Sequence, residues 1–155
     1  MRKFVLLITH GFMLVAGFAL GIYFLPILTA PESVDRAMLQ SSAENASYTG
    51  EFTKELKGSD FLHWGTGKVS ISPEKIVHDG ELAPGPDYKL YLTKSFVEDE
   101  AGFNAIKADS ALIGDIKTFD GVIVDVPEDV DINAYNTVLV WCESFGEFIT
   151  AAKYK

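Results

Sequence analysis

The sequence has 155 residues, of which 48% are hydrophobic and 23% are charged, which is enough for one ordinary domain and too short for two. Its 13 Lys and Arg residues against 22 Asp and Glu residues give a net charge of −9, which argues against nucleic acid as a partner because phosphates require a basic surface. A single cysteine, Cys142, excludes an internal disulfide, a zinc site of several cysteines and a cysteine-ligated iron–sulfur cluster.

The first element along the chain is a long apolar run over residues 4–28, directly after Arg2 and Lys3. It contains no charged residue, and as a helix it reaches about 37 Å, more than the roughly 30 Å of a hydrocarbon core. The run is longer than the apolar region of a cleaved signal peptide, and its only candidate cleavage site is followed by Pro31. We therefore favour an uncleaved signal anchor and assign residues 1–29 to a cytoplasmic stub and a transmembrane helix.

The distribution of charge predicts how this helix crosses the bilayer. Arg2 and Lys3 precede the span, whereas residues 31–155 carry 11 Lys and Arg against 22 Asp and Glu residues, a net charge of −11. By the positive-inside rule the N-terminus is cytoplasmic and the rest is periplasmic or extracellular, as in a single-pass protein of a bacterial inner membrane. The acidic charge also predicts repulsion from anionic lipid, so that the domain stands off the membrane surface.

Two features inside the span have competing interpretations. Gly17 and Gly21 form a G-x-x-x-G pattern, which is the basis for a weak helix-mediated dimer, although glycine is common in transmembrane helices. His10 is either a functional group, such as a helix contact or a haem ligand, or a neutral imidazole near the interface. We favour the ordinary interpretation of each and keep the dimer as a hypothesis.

The chain after the span divides into a polar segment and a longer β-type region. Residues 30–49 are rich in small polar side chains and predict a flexible tether, in which residues 34–39 can form a short helical turn. From residue 50 onward, runs of aromatic and aliphatic residues recur about every 8–12 residues between Gly, Pro and Asp. Residues 50–155 are therefore predicted to form an all-β domain, an antiparallel β-sandwich or barrel-like fold, after one N-terminal transmembrane helix.

The strand predictions come from short alternating or continuous apolar runs, with no alternation of strands and helices to indicate a doubly wound fold. Asp79–Gly80 is a strong hairpin signal that places His78 at a turn. Residues 95–110 contain acidic and alanine residues, which predict a short helix or an acidic loop. The predicted strands are Lys68–Ser72, Lys75–His78, Tyr88–Thr93, Ile113–Thr118, Gly121–Val126, Thr137–Cys142 and Glu147–Ala152.

Cys142 is the candidate reactive residue. It ends the most apolar strand of the domain, which is predicted to be central and to turn Val138, Val140 and Cys142 to one face. One interpretation is an inert core cysteine, because burial raises the pKa of a thiol and suppresses the thiolate. The other is a functional thiol in an oxidising compartment, as a redox group or an axial ligand to haem. From the residue pattern alone, we favour the inert cysteine.

Three blocks of sequence carry a resemblance to a known family: Trp64–Ile71, Gly85–Leu92 and the segment from Tyr135 to Phe145. In this order they resemble the DM-thirteen (DM13) domain, which occurs beside DOMON domains and in membrane-anchored bacterial proteins. The resemblance covers about residues 50–155. It implies a role in electron transfer, in which the family's cysteine, here Cys142, is a naked thiol or binds a prosthetic group such as haem.

The remaining candidate ligands are His63 and His78, either of which could join Cys142 at a haem iron. No metal-binding motif and no nucleophile–base constellation is visible, so a metal site is not predicted and the protein is at most a redox protein. Two hypotheses follow. The first is an anchored domain with a redox role at Cys142 and a redox partner protein, and the second is a binding or scaffold module in which Cys142 only packs.

Overall fold

A computed structural model describes residues 1–155 and contains three α-helices and eight strands. Short 3₁₀ turns lie at Lys107–Asp109 and Ile132–Ala134. The helices are α1 (Arg2–Thr29), α2 (Arg36–Ala43) and α3 (Glu100–Ile106). The strands are β1 (Tyr48–Phe52), β2 (Gly65–Ile71), β3 (Lys75–Leu82), β4 (Tyr88–Thr93), β5 (Ala111–Ile116), β6 (Val122–Asp125), β7 (Thr137–Cys142) and β8 (Glu147–Lys153).

The strands form two antiparallel sheets of four strands each, in the orders β1-β2-β3-β6 and β5-β4-β7-β8. The inner faces of both sheets contribute to one large apolar core, which is the arrangement of a β-sandwich. A smaller cluster lies on the other face of the second sheet, where α3 packs. The prediction of an all-β antiparallel domain after a long apolar helix is confirmed.

Helix α1 is long and apolar enough to cross a membrane, and none of its residues is buried. Ile22 and Pro26 of the helix and its C-cap residue Ala30 are half-buried and are spaced four residues apart. This spacing puts them on one stripe of the helix surface, so α1 turns one face of its last turns toward the domain.

The segment predicted to be a tether contains ordered structure. Asp35 accepts a hydrogen bond from the backbone N–H of Ala37 at 2.7 Å and so caps the N-terminus of α2. Leu39 is 2% exposed and packs against Gly121, whose φ of +116° favours glycine. Strand β1 then starts at Tyr48, two residues before the predicted start of the domain. The division of the chain at residues 29 and 49 stays a prediction.

The predicted hairpin at Asp79–Gly80 is wrong. Both residues lie inside β3, where Asp79 pairs with Lys68 and Gly80 pairs with Gly67. The β2–β3 turn lies instead at residues 72–74, closed by a hydrogen bond from the Ser72 N–H to the Lys75 carbonyl at 2.9 Å. A Cβ atom at Gly80 would overlap the backbone of the neighbouring strand, so the glycine serves a close approach of two strands rather than a turn.

Strand β7 is central in its sheet, and its side chains alternate between the two faces as the sequence pattern predicts. The strand lies between β4 and β8 and all its six residues are buried. Val138, Val140 and Cys142 belong to the core between the sheets, whereas Leu139 and Trp141 belong to the smaller cluster under α3. In the region predicted as a short helix or acidic loop, residues 100–106 form α3, capped by the Asp99 side chain.

Candidate functional site

The Cys142 thiol lies at the end of β7, where the strand leaves the core. The residue is 3% exposed, and its Sγ donates a hydrogen bond to the Pro86 carbonyl at 3.1 Å. Burial raises the pKa of the thiol above its usual range, and the negative charge of Asp87 acts in the same direction. The backbone N–H groups of Phe145 and Ser144 oppose this shift without cancelling it. The thiol is therefore protonated at neutral pH.

A cavity of about 290 Å³ adjoins this thiol, and we call it the Cys142 cavity. Most of its lining is apolar, and no Lys or Arg contributes to it. Four parts of the chain form its wall: the loop over residues 60–64, the loop over residues 84–88, the β7–β8 turn, and the C-terminal half of α1. Six of the lining residues are Tyr23, His63, Pro86, Tyr88, Cys142 and Phe145.

The loop over residues 84–88 is tied to the β7–β8 turn by Asp87, which adopts a left-handed φ of 53°. Its carbonyl accepts from the Glu143 N–H at 3.1 Å, and its carboxylate accepts from the Ser144 hydroxyl at 2.9 Å and from Lys89 Nζ at 3.0 Å. These bonds hold the preceding residue, Pro86, with its carbonyl at the Cys142 sulfur. Asx residues tolerate this backbone conformation better than most others.

His63 lies on the loop over residues 60–64 and faces the same cavity as Cys142. One oxygen of Asp60 accepts the backbone N–H groups of Leu62 and His63 at 2.7 and 2.8 Å, and the other lies 3.1 Å from His63 Nδ1. These contacts orient the imidazole and leave Nε2 as its free polar atom. The structure thus brings two of the three candidate site residues to one cavity.

His78 does not belong to this cavity. Its ring is 4% exposed, packs at 5.0 Å from the Phe52 ring and lies 2.9 Å from the Thr66 carbonyl through Nε2. Nδ1 is buried without a hydrogen-bond partner. Burial lowers the pKa of the imidazole, which is therefore neutral in the folded protein. The prediction that His78 stands at a turn is wrong, because β3 continues to Leu82.

The residue after Cys142, Glu143, faces the smaller cluster on the other side of β7. Its carboxylate accepts hydrogen bonds from the Tyr91 hydroxyl and, at 2.6 Å, from Lys107 Nζ. The Lys107 ammonium also lies 5.4 Å from the centre of the Trp141 ring. Trp141 is 1% exposed and serves as a packing residue in this cluster. This polar group closes the outer face of the strand that carries Cys142.

The size and the lining residues of the Cys142 cavity bear on whether it can hold a haem. The volume of about 290 Å³ lies just below the range of about 300–1,000 Å³ that is usual for small-molecule sites. No basic side chain lines the cavity to pair with the two propionates of a haem. The residues present do not fit a haem. No group of three or more His, Cys, Asp and Glu side chains is arranged to hold a metal ion.

Sequence reasoning identified Cys142 and His63 but missed the residues that complete the cavity. Pro86 contributes a backbone carbonyl, which no side-chain pattern can indicate. The sequence pattern predicts Tyr88 only as a strand residue and Tyr23 only as part of the membrane span, and Phe145 stands out only in a block of the family resemblance. The one usable signal was the Gly85–Pro86–Asp87 break, because such a cluster indicates a turn of special conformation.

Comparisons with known proteins give one match. A family model described as Electron transfer DM13 matches residues 55–154. The match includes strands β2 to β8 and the three domain segments around the Cys142 cavity, and it leaves α1 and α2 outside. No curated protein and no solved structure matches the chain.

Proposed function

Because the chain belongs to the DM13 electron-transfer family, we propose that it is a membrane-anchored electron-transfer module outside the cytoplasm, with Cys142 as its redox group. The observation that carries this proposal is the convergence of three segments of the family match on one sulfur beside a cavity. Sites of function commonly combine a mostly apolar cavity with a few placed polar groups. Here the polar groups include the Cys142 thiol, the His63 imidazole and the Glu147 side chain.

The chemistry that suits a single thiol without a haem is exchange with the disulfide of a redox partner protein. The Cys142 thiol loses its proton to solvent, and the thiolate attacks one partner sulfur, so that a mixed disulfide forms and the second partner sulfur leaves as a thiolate with the electron pair of the broken bond. A dithiol donor then attacks the partner sulfur of the mixed disulfide, and Cys142 leaves as a thiolate. The second thiol of the donor closes the donor's own disulfide and releases the partner as a dithiol, so that two electrons pass from the donor to the partner. The backbone N–H groups of Ser144 and Phe145 stabilise the thiolate during the exchange.

The anchor in this proposal is α1, whose apolar run over residues 4–28 supplies the membrane span and is not cleaved. Arg2 and Lys3 favour a cytoplasmic N-terminus, so the β domain faces the periplasm or the cell exterior. Gly17 and Gly21 have open space around them, so a second helix can approach there and form a weak dimer. Residues 30–49 connect the anchor to the domain.

The proposal is tested with the full chain in phosphatidylcholine nanodiscs and with oxidised glutathione as a disulfide probe. We expect the native protein to form one mixed disulfide, which a dithiol reductant removes, and the Cys142→Ala variant to form none. Mass spectrometry of the intact protein measures the adduct, and circular dichroism confirms that the domain stays folded. An adduct that forms only in denaturant would overturn the redox role.

A second candidate function is a binding or scaffold module in which Cys142 only packs, as its 3% exposure and its place in the main core favour. In that case Cys142→Ala would cost about 1–2 kcal/mol of the free energy of unfolding, as for a small core truncation, and leave function in vivo intact. Loss of function in vivo with the same modest loss of stability would favour the redox role instead.

A further inference from the structure

We propose that the domain docks on the bilayer surface through Phe61, Leu62 and Phe145, so that the Cys142 cavity lies at the level of the lipid headgroups. We call these three residues the apolar tip. The inference rests on one part of the proposed function, the insertion of α1 into the membrane. It adds a second contact between the protein and the lipid, made by the β domain itself.

The apolar tip is exposed although each of its residues is large and hydrophobic. Phe61 is 85% exposed, Phe145 is 54% exposed and Leu62 is 38% exposed. Leu62 and Phe145 come from different loops and line the same cavity, and Phe61 directly precedes Leu62 in the chain. An exposed apolar patch of this kind, on a domain with a large buried core, marks a surface that meets a partner.

The position of the tip along α1 identifies that partner. Leu62 and Phe145 line the Cys142 cavity together with Ala19, Ile22 and Tyr23 of the helix. Farther along α1, the turn from Leu25 to Thr29 lines a second cavity, of about 380 Å³, with the β3–β4 and β5–β6 loops. The domain therefore extends back along the helix, toward the membrane, and the tip is its part nearest the bilayer centre.

The length of α1 gives the depth of the apolar tip relative to the bilayer. A hydrocarbon core of about 30 Å takes about 20 helical residues, so a span that starts at Phe4, next to Arg2 and Lys3, ends near Tyr23. The apolar tip lies beside the turn from Ala19 to Tyr23 and is thus level with the outer boundary of the hydrocarbon. Trp and Tyr are enriched at this boundary in membrane proteins, and Phe and Leu side chains insert there from amphipathic surfaces that bind the bilayer.

The charges of the apolar tip and of the rest of the domain indicate which kind of lipid the tip contacts. The apolar tip itself carries no charge, and the neighbouring Asp60 carboxylate is occupied by backbone N–H groups and by His63. The remainder of the domain is strongly acidic, so an anionic surface repels it. We infer that the partner is a zwitterionic lipid surface. The expectation that the whole domain stands off the membrane holds for its far side and not for this end.

The experiment uses the full chain in phosphatidylcholine vesicles whose acyl chains carry bromine, which quenches tryptophan fluorescence on contact. Phe61→Trp places a new fluorophore on the apolar tip. Phe96→Trp is the matched control, because Phe96 is also exposed but follows β4 at the end opposite Tyr88 and the Cys142 cavity. The native Trp64 and Trp141 are common to both variants, so the difference in quenching reports the two new positions.

We expect bromolipid to quench the added emission of Phe61→Trp at least twofold more than that of Phe96→Trp. Equal quenching in vesicles that carry the inserted protein would overturn the docking proposal. Failure of both variants to float with the vesicles would instead overturn the membrane anchoring on which it rests. Adding Cys142→Ala to Phe61→Trp should leave the quenching unchanged, because lipid contact does not depend on the redox role of the thiol.

Discussion

Cys142 and His78 have nearly the same exposure, 3% and 4%, and both lie on the inner faces of the sandwich. Their surroundings differ. Cys142 ends β7 and adjoins a cavity of about 290 Å³ that three domain segments and α1 enclose. His78 lies inside β3, packed against Phe52, and lines a void of about 10 Å³. Burial alone therefore does not separate a candidate site from a core residue.

The difference between the two places is the space available to another molecule. A void of about 10 Å³ is at or below the size that one water molecule needs, so nothing larger can reach the His78 ring. Cys142 still pairs with Tyr88 of β4 and Glu147 of β8, but the chain turns directly after it. The loops around this end of the sheet leave a gap that tight strand pairing does not. The next three predictions test this contrast between the closed centre of the sandwich at His78 and the open end of β7 at Cys142.

The largest effect is expected from Gly80→Ala in the closed centre. The added methyl group would overlap the backbone of β2 and approach His78 Nε2 to 2.7 Å, so two paired strands must separate. We expect a loss of about 3 kcal/mol or more in the free energy of unfolding, measured by urea denaturation.

Gly146→Ala, in the turn beside Cys142, is the control for Gly80→Ala. It meets no atom closer than 3.9 Å and should cost only about 1–2 kcal/mol, from its φ of +69°. Equal losses would contradict the contrast.

A smaller effect concerns the acid stability that His78 controls. Burial lowers the pKa of His78 in the folded state, so below about pH 6.5 the unfolded chain binds a proton that the folded protein does not. Stability from this group is present above pH 6.5 and is lost as the pH falls, by at most about 1.4 kcal/mol per pH unit. His78→Gln should reduce this loss of the free energy of unfolding, measured by urea denaturation between pH 7 and pH 5.

His63→Gln is the matched control, because it makes the same substitution in an outer loop. An unchanged pH dependence in His78→Gln would show that His78 titrates normally.

The smallest effect is a shift in the pH profile of thiol alkylation. Because burial raises the pKa of Cys142, the rate with iodoacetamide should rise about tenfold per pH unit from pH 7 and reach half its maximum above pH 9. The adjoining cavity should admit this small reagent to the folded protein, and mass spectrometry of the intact chain measures the product. Unfolded protein should show a lower half-maximal pH. A reaction confined to the unfolded chain would mean that the end of β7 is as closed as the centre.

The local sequence pattern predicted the strands well because each depends on its own side chains. The segment 137–142 is apolar on both faces, and it is the central strand that this pattern indicates. The Asp79–Gly80 pair misled the prediction because the same two residues suit a hairpin turn and a close contact between strands. Only the pairing of Gly80 with Gly67 distinguishes the two uses, and that pairing is a property of the neighbouring strand.

The candidate site likewise combines features that the sequence predicts with features that depend on the tertiary structure. Cys142 and His63 stand out in the sequence because thiols and imidazoles are reactive, but nothing in their spacing of 79 positions predicts that they share a cavity. His78 has the same chemistry as His63 and lies in the core. The Pro86 carbonyl at the sulfur and the Tyr23 ring in the wall come from distant segments. Their contribution depends on how the loops and α1 meet.

By itself the sequence determined the long apolar helix, the acidic β domain and the presence of a single thiol, because composition and hydrophobic periodicity act over a few neighbouring residues. The tertiary structure alone decided that the thiol adjoins open space, that His63 and not His78 faces it, and that Leu62 and Phe145 lie beside the turn of α1 from Ala19 to Tyr23. These properties depend on which distant segments pack together, and the local energetics of any one segment do not specify its partners.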